Sequence, residues 1–258
     1  MIRGIFLDVD GTLYSHRIHD IPPSALRSLE ALRRRGIRIF LATGRHRLAL
    51  ARMNLHGFPF DGYVTLTGHL CYDRAWRPVF RAPLPEADAA ALIRAFSGRR
   101  FPMLLLQENS EYANFADGRF GDLPEPVPVG PAPPGAIDSE PVYAAAMYAE
   151  RRDAEAFAAE IPGCRLSAWH ASGFDIISRD VGKVRGIKEM LALFGMSREE
   201  TAVFGDADND AEMLSFAGAG VAMGNGTPAA KAAADFVTDS VDEDGLEKAF
   251  RRLGLLAD

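Results

Sequence analysis

The sequence predicts an α/β protein, a parallel-sheet core interrupted by a second, smaller α/β unit. Three observations carry this expectation. Short apolar runs alternate with helical patterns at both ends of the chain. Several of those runs end in clusters of aspartate, threonine and glycine. The middle of the chain has strand and helix patterns of its own.

Ile2 to Leu7 is nearly continuous apolar sequence, as expected of a strand covered on both faces by helices. Pro23 to Arg35 reads as a helix, with proline near its start, Leu26, Leu29 and Leu32 on one face, and Gly36 placed to end it. Ile37 to Ala42 is a second strand and Arg47 to Leu55 a second helix. This βαβα order implies parallel strands joined by right-handed crossovers. Towards the C-terminus, Lys183 to Phe194 is helical, Thr201 to Phe204 a strand, Asp208 to Phe216 a short helix, and Gly220 to Met223 a strand. Phe236-Val237 is a minimal strand before a helix around Gly245 to Leu253.

The middle predicts helices over Pro85 to Phe96 and Arg152 to Glu160. Its strands fall at Met103 to Leu106, Tyr112 to Phe115, Val142 to Tyr148, Cys164 to Trp169 and Gly173 to Ser178. Gly121 to Pro141 is crowded with proline and glycine and reads as a surface loop. Residues 1–81 and 173–258 are therefore expected to form the core, with residues 82–172 inserted.

Composition excludes several classes. The 258 residues are 48% hydrophobic and 25% charged, which argues against disordered and fibrous proteins. With 29 basic and 35 acidic side chains the net charge is −6, so nucleic acid is not an expected partner. Two cysteines, Cys71 and Cys164, are too few for a disulfide framework or a cysteine-based zinc site and read as buried thiols. No apolar run approaches the ~20 residues that span a bilayer, and Asp8 cuts the N-terminal apolar run too short for a secretory signal. A soluble, cytoplasmic protein is expected.

Four motifs carry chemistry. Asp8-Val9-Asp10-Gly11-Thr12 directly follows the first strand, where ligands bind open α/β sheets. Two crowded carboxylates repel unless a cation or a shared proton relieves them, and Mg²⁺ suits oxygen ligands and phosphate chemistry. Thr43-Gly44-Arg45 ends the second strand and offers a hydroxyl, close backbone approach and a guanidinium fork for an anion. Lys183 opens a helix, where the dipole disfavours it unless it faces an anion. Asp206-Ala207-Asp208-Asn209-Asp210 follows another strand and holds more acid than helix capping requires. Taken singly, each also reads as a turn, a cap or a surface residue. Together they are an inventory for phosphoryl transfer, with a carboxylate as nucleophile.

The order Asp-x-Asp-Gly-Thr, Thr-Gly-Arg, Lys, Gly-Asp-x-x-Asn-Asp, followed by Gly220 to Gly226, resembles the haloacid dehalogenase-like (HAD) superfamily. More narrowly it resembles its Cof-type, subfamily IIB sugar-phosphatase-like branch, with a Rossmann-like core and an inserted C2-type cap. The resemblance implies that Asp8 is the nucleophile and that Asp10 is the acid, then the base. It implies that Thr43 and Lys183 hold the phosphoryl group, with Gly44 and Arg45 beside the substrate. It further implies Mg²⁺ bound by Asp8, the Asp10 carbonyl, Asp206 and Asp210, with Asn209 orienting their loop. The cap would close over the site and select the leaving group. Two departures stand out: Val184 follows the lysine where glycine is common, and Thr67-Gly68-His69 replaces a common Asn-Gly-Ala.

The expected function is a Mg²⁺-dependent phosphatase for a small phosphorylated metabolite. The alternatives are a phosphomutase or phosphotransferase of the same superfamily, and a receiver-like phospho-aspartate signalling module. The second acid beside Asp8 and the inserted cap disfavour the receiver, whose phosphoryl group must persist.

Overall fold

A computed structural model describes residues 1–115, 137, 140–169 and 171–256. The chain divides into two compact units, residues 1–81 with 182–258, and residues 82–181.

The first unit is built on an eight-stranded sheet in the order β13-β12-β11-β1-β2-β3-β4-β5. Its strands are β1 (Gly4–Leu7), β2 (Arg38–Ala42), β3 (Gly62–Thr65), β4 (Leu70–Asp73), β5 (Pro78–Arg81), β11 (Thr201–Gly205), β12 (Ala219–Ala222) and β13 (Phe236–Val237). Neighbours from β13 through β3 run parallel, whereas β3, β4 and β5 pair antiparallel. Every residue of β1 is buried, as its unbroken apolar run requires. Phe6 of β1 stacks on Phe40 of β2 with ring centroids 4.6 Å apart. Burying one such ring stabilises the fold by roughly 1.5–3 kcal/mol.

Helix α1 (Pro23–Arg34) buries Ser24, Ala25, Ser28, Leu29 and Leu32, and Pro23 takes a first-turn position where its missing N–H costs nothing. Helix α2 (Arg47–Arg52) is shorter than expected, stopping at Met53 in extended conformation. Helix α5 (Lys183–Phe194) ends at Gly195 with φ 58°. Gly186 on α5 lies so close to the sheet that a Cβ there would sit 2.4 Å from Val64 Cγ1 and 3.0 Å from Cys71 Sγ. The remaining helices are α6 (Ala211–Phe216), α7 (Pro228–Ala233) and α8 (Gly245–Arg252). The helix expected over Asp208 to Phe216 begins one turn later, because Asp208–Asp210 forms a 3₁₀ turn first.

The second unit has an all-antiparallel sheet in the order β7-β6-β8-β10-β9. Its elements are α3 (Glu86–Ser97), β6 (Met103–Gln107), β7 (Glu111–Ala113), β8 (Val142–Tyr148), α4 (Arg151–Ala158), β9 (Cys164–Ala168) and β10 (Gly173–Ser178). Alternate strand residues, Met103 and Leu105, Ala145 and Met147, Phe174 and Ile176, form one core with Leu92, Phe96 and Phe157. The boundary expected at 172/173 shifts to 181/182. Strand β10 pairs with both β8 and β9, so it belongs to the inserted unit. The loop expected over Gly121 to Pro141 lies outside the described residues except for Ile137, Glu140 and Pro141.

Candidate active site

The site assembles where β1, β2 and β11 end and α5 begins. Asp8 directly follows β1, and its N–H donates to the Phe204 carbonyl of β11 at 2.9 Å. The chain then turns at Gly11, whose φ is 75°. A Cβ at Gly11 would lie 2.4 Å from Asp206 Oδ2, so glycine lets the first acidic loop meet the second. Thr12 Oγ1 donates to Asp206 Oδ1 at 2.8 Å.

Lys183 is only 2% exposed, yet its ammonium finds carboxylate partners. Its Nζ donates to Asp8 Oδ1 and to Asp210 Oδ1, each at 2.6 Å. The other Asp210 oxygen accepts the backbone N–H groups of Asp206 and Ala207 at 3.0 Å each. Asp210 thus folds its own loop and fixes the lysine. Burial would pull the Lys183 ammonium down, but Asp210 and Asp8 outweigh it and hold its pKa above the usual range.

Among the described residues, Asp8, Asp206 and Asp210 form a group in which one carboxylate oxygen from each lies within 4.8 Å of the others. One ammonium faces three carboxylates. Burial, opposed by Lys183 and reinforced by Asp210, Asp206 and Asp10, raises the Asp8 pKa well above the ordinary carboxylate range. Burial likewise pushes Asp206 up to about 6, against its hydrogen bond from Thr12. A cluster of oxygen donors this short of positive charge fits a hard divalent cation.

Asp10 stands apart from that group. Its carboxylate takes a bidentate pair from Arg45, Nε to Oδ2 at 2.6 Å and Nη2 to Oδ1 at 2.7 Å. His16 Nε2 lies 3.0 Å from the same Oδ1. Burial alone would raise the Asp10 pKa, but the Arg45 and His16 hydrogen bonds overcome it and hold the carboxyl well below its usual range. Arg45, expected as a fork for substrate, is here the partner of the expected acid. Gly44 lies between it and Thr43, which is buried, and Thr43 Oγ1 accepts the Arg45 N–H at 3.1 Å. Asn209 Oδ1 is buried and has no hydrogen-bond partner among the described residues.

His16 and Asn225 were not anticipated as site residues. Asn225 Nδ2 donates to the Gly11 carbonyl at 2.8 Å, and its Oδ1 accepts from Val241 N at 2.9 Å. It ties the first acidic loop to the segment after β13. The signal was an asparagine between two glycines, directly after a buried strand.

This fold and this cluster are those of a hydrolase superfamily. A model of haloacid dehalogenase-like hydrolases matches residues 5–250, and the chain belongs to that family. It is 30% identical over 257 residues to the Bacillus subtilis (strain 168) protein named "Putative phosphatase YkrA", covering 98% of each chain. Among solved structures it resembles the HAD-superfamily phosphatase BT1666 of Bacteroides thetaiotaomicron, with TM-score 0.89, 28% identity, and 99% and 96% of the two chains covered. It also resembles the HAD subclass IIB sugar phosphatase BT4131, with TM-score 0.84, 30% identity, and 98% and 100% covered. The second antiparallel sheet is the inserted cap of that architecture. No helix among the described residues is long and apolar enough to cross a membrane.

Proposed function

We propose that the chain is a divalent-cation-dependent phosphatase that hydrolyses a small phosphomonoester through a phosphoryl group carried on Asp8. Its family and its full-length relatives support a phosphatase enzyme. One observation carries the finer assignment: Asp8 presents a carboxylate at the C-terminal end of the central strand β1, with one oxygen fixed by buried Lys183. Among the described residues no hydrogen bond reaches its second oxygen, which is left to attack.

In the first step an Asp8 oxygen bonds to phosphorus and the bond from phosphorus to the leaving alcohol oxygen breaks. Asp10 gives that oxygen a proton. In the second step water attacks phosphorus, Asp10 takes the water proton, and the bond to Asp8 breaks to release phosphate. Two of the three Lys183 N–H donors are spent on Asp8 and Asp210, which leaves the third for a phosphoryl oxygen. The Thr43 hydroxyl accepts from Arg45 N and still has its own proton to donate to the phosphoryl group. Gly44 admits the substrate close to the backbone, and the Asp210 carboxylate folds the loop that carries Asp206. Mg²⁺ held by Asp8, Asp206 and Asp210, with the Asp10 carbonyl, would neutralise charge on the transferring group.

The Arg45 pair sets the protonation of Asp10. Bound to Arg45 and His16 it is ionised, the form of a general base. Service as an acid requires Arg45 to let go, and an anionic phosphate competes for the same guanidinium.

The test is phosphate release from a panel of sugar phosphates, flavin mononucleotide and pyridoxal phosphate, with and without Mg²⁺. Turnover of at least one ester, abolished by chelation, is expected. No release above the Asp8→Asn background on any ester would overturn the proposal. Return of the phosphoryl group to a sugar instead of to water would mark a phosphomutase.

A further inference from the structure

We propose that the Thr67 hydroxyl is a further ligand for a phosphoryl oxygen of the substrate, acting beside Thr43 and Lys183; this rests on the phosphatase proposal above. Directly after β3, three successive residues take left-handed backbone: Leu66 at φ 47°, Thr67 at 53° and Gly68 at 97°. Glycine does this freely, but a β-branched threonine in that region is a strained exception.

The surroundings show what holds the turn in place. Thr67 N donates to the Thr43 carbonyl at 3.0 Å, and Leu66 N donates to the Arg45 carbonyl at 3.2 Å. Gly68 packs so tightly on the start of α5 that a Cβ there would lie 2.1 Å from the Gly182 carbonyl oxygen and 3.3 Å from Lys183 N. The turn therefore touches both loops that carry the phosphate-holding side chains.

Thr67 is 1% exposed, and among the described residues its Oγ1 has no hydrogen-bond partner. Two unfavourable features meet in one residue, a strained backbone and a buried hydroxyl left unpaired. Asparagine or glycine would make the same turn with less strain, and valine would fill the same space without an orphaned oxygen. An incoming oxyanion held by Thr43 and Lys183 gives the hydroxyl a partner and accounts for both costs.

The experiment measures binding of orthovanadate and of inorganic phosphate to the full chain with Mg²⁺, by calorimetry, alongside melting temperature. Thr67→Val should weaken both anions by about tenfold, the loss of one good hydrogen bond. Thr67→Ser should recover most of that loss. Thr67→Gly should bind as weakly as Thr67→Val while melting higher than wild type, because it relieves the strain. If Thr67→Val fails to fold, the Thr67→Gly arm decides. Wild-type affinity in whichever of these two variants folds would overturn the assignment, with any melting shift then showing a role in the fold only. A wild type that releases phosphate from esters while its hydroxyl-free variants bind normally leaves the phosphatase proposal standing and removes only Thr67. A wild type that neither binds these anions nor releases phosphate removes both.

Discussion

Lys183 is the cation on which the acidic cluster depends. Its side chain lies between Asp8 and Asp210, buried, with both hydrogen bonds at 2.6 Å. Removing one partner of a buried charge network leaves the other charges uncompensated, at about 3–5 kcal/mol. Lys183→Met should therefore destabilise the metal-free protein by that order in urea denaturation and suppress turnover as well. A variant of wild-type stability would mean that the carboxylates find another cation. Most of this cluster was legible in the sequence, because each acid sits in a contiguous motif at the end of an apolar run. The lysine was legible as an anion ligand, and the structure adds that it joins two of the acids. Partner choice was not legible. Nothing local in the chain says that Arg45 grips Asp10, or that His16 shares the same oxygen. Those contacts depend on how separate loops converge above the sheet.

At the scale of elements, the ends of strands do the positioning. β1 places Asp8, β2 places Thr43, and β11 places the loop of Asp206 to Asp210. These strands were legible because parallel strands buried on both faces are continuous apolar runs. Strands β3, β4 and β5 were not expected. Each has four residues, and β5 alternates half-buried with exposed positions and begins with Pro78, so apolar runs do not mark it. The β4–β5 turn is instead made by side-chain chemistry: Asp73 Oδ1 accepts Ala75 N at 2.8 Å and Arg77 N at 2.9 Å, and Trp76 takes φ 57°. In the second sheet, β10 carries Asp175, whose Oδ1 accepts Trp169 Nε1 at 3.1 Å. Burial pushes its carboxyl up to about 7, only partly opposed by that bond. The raised value favours the protonated form in the folded state. Its stabilising effect is complete below the ordinary carboxylate pKa of about 4 and is lost as pH rises through about 7. Thermal melts of Asp175→Asn, which keeps an acceptor for Trp169, should thus depend less on pH between about 5 and 8 than wild type. Parallel curves for the two proteins would contradict this.

At the scale of the whole molecule, two units and a net charge of −6 acquire a meaning. Acidity that argued only against nucleic acid includes a cluster suited to a divalent cation. Asp8 and Asp206 both have raised pKa values without metal, Asp206 about 6. The protonated form of Asp206 stabilises the metal-free fold fully below about pH 4, and that contribution is lost as pH rises through about 6, while burial shifts Asp8 in the same direction. Metal needs these groups ionised, so Mg²⁺ should raise the melting temperature more at about pH 8 than at about pH 5, and a chelator should reverse it. An equal shift at both values would place the cation elsewhere. Turnover as proposed runs through a phosphoryl group on Asp8. The most direct measurement mixes the enzyme with a turned-over ester and Mg²⁺, quenches in acid within one turnover, and maps the phosphorylated peptide by mass spectrometry. A phosphoryl group on Asp8, absent from Asp8→Asn, is the predicted result. Phosphate release with no phosphorylated Asp8, or with the group on another residue, would contradict it.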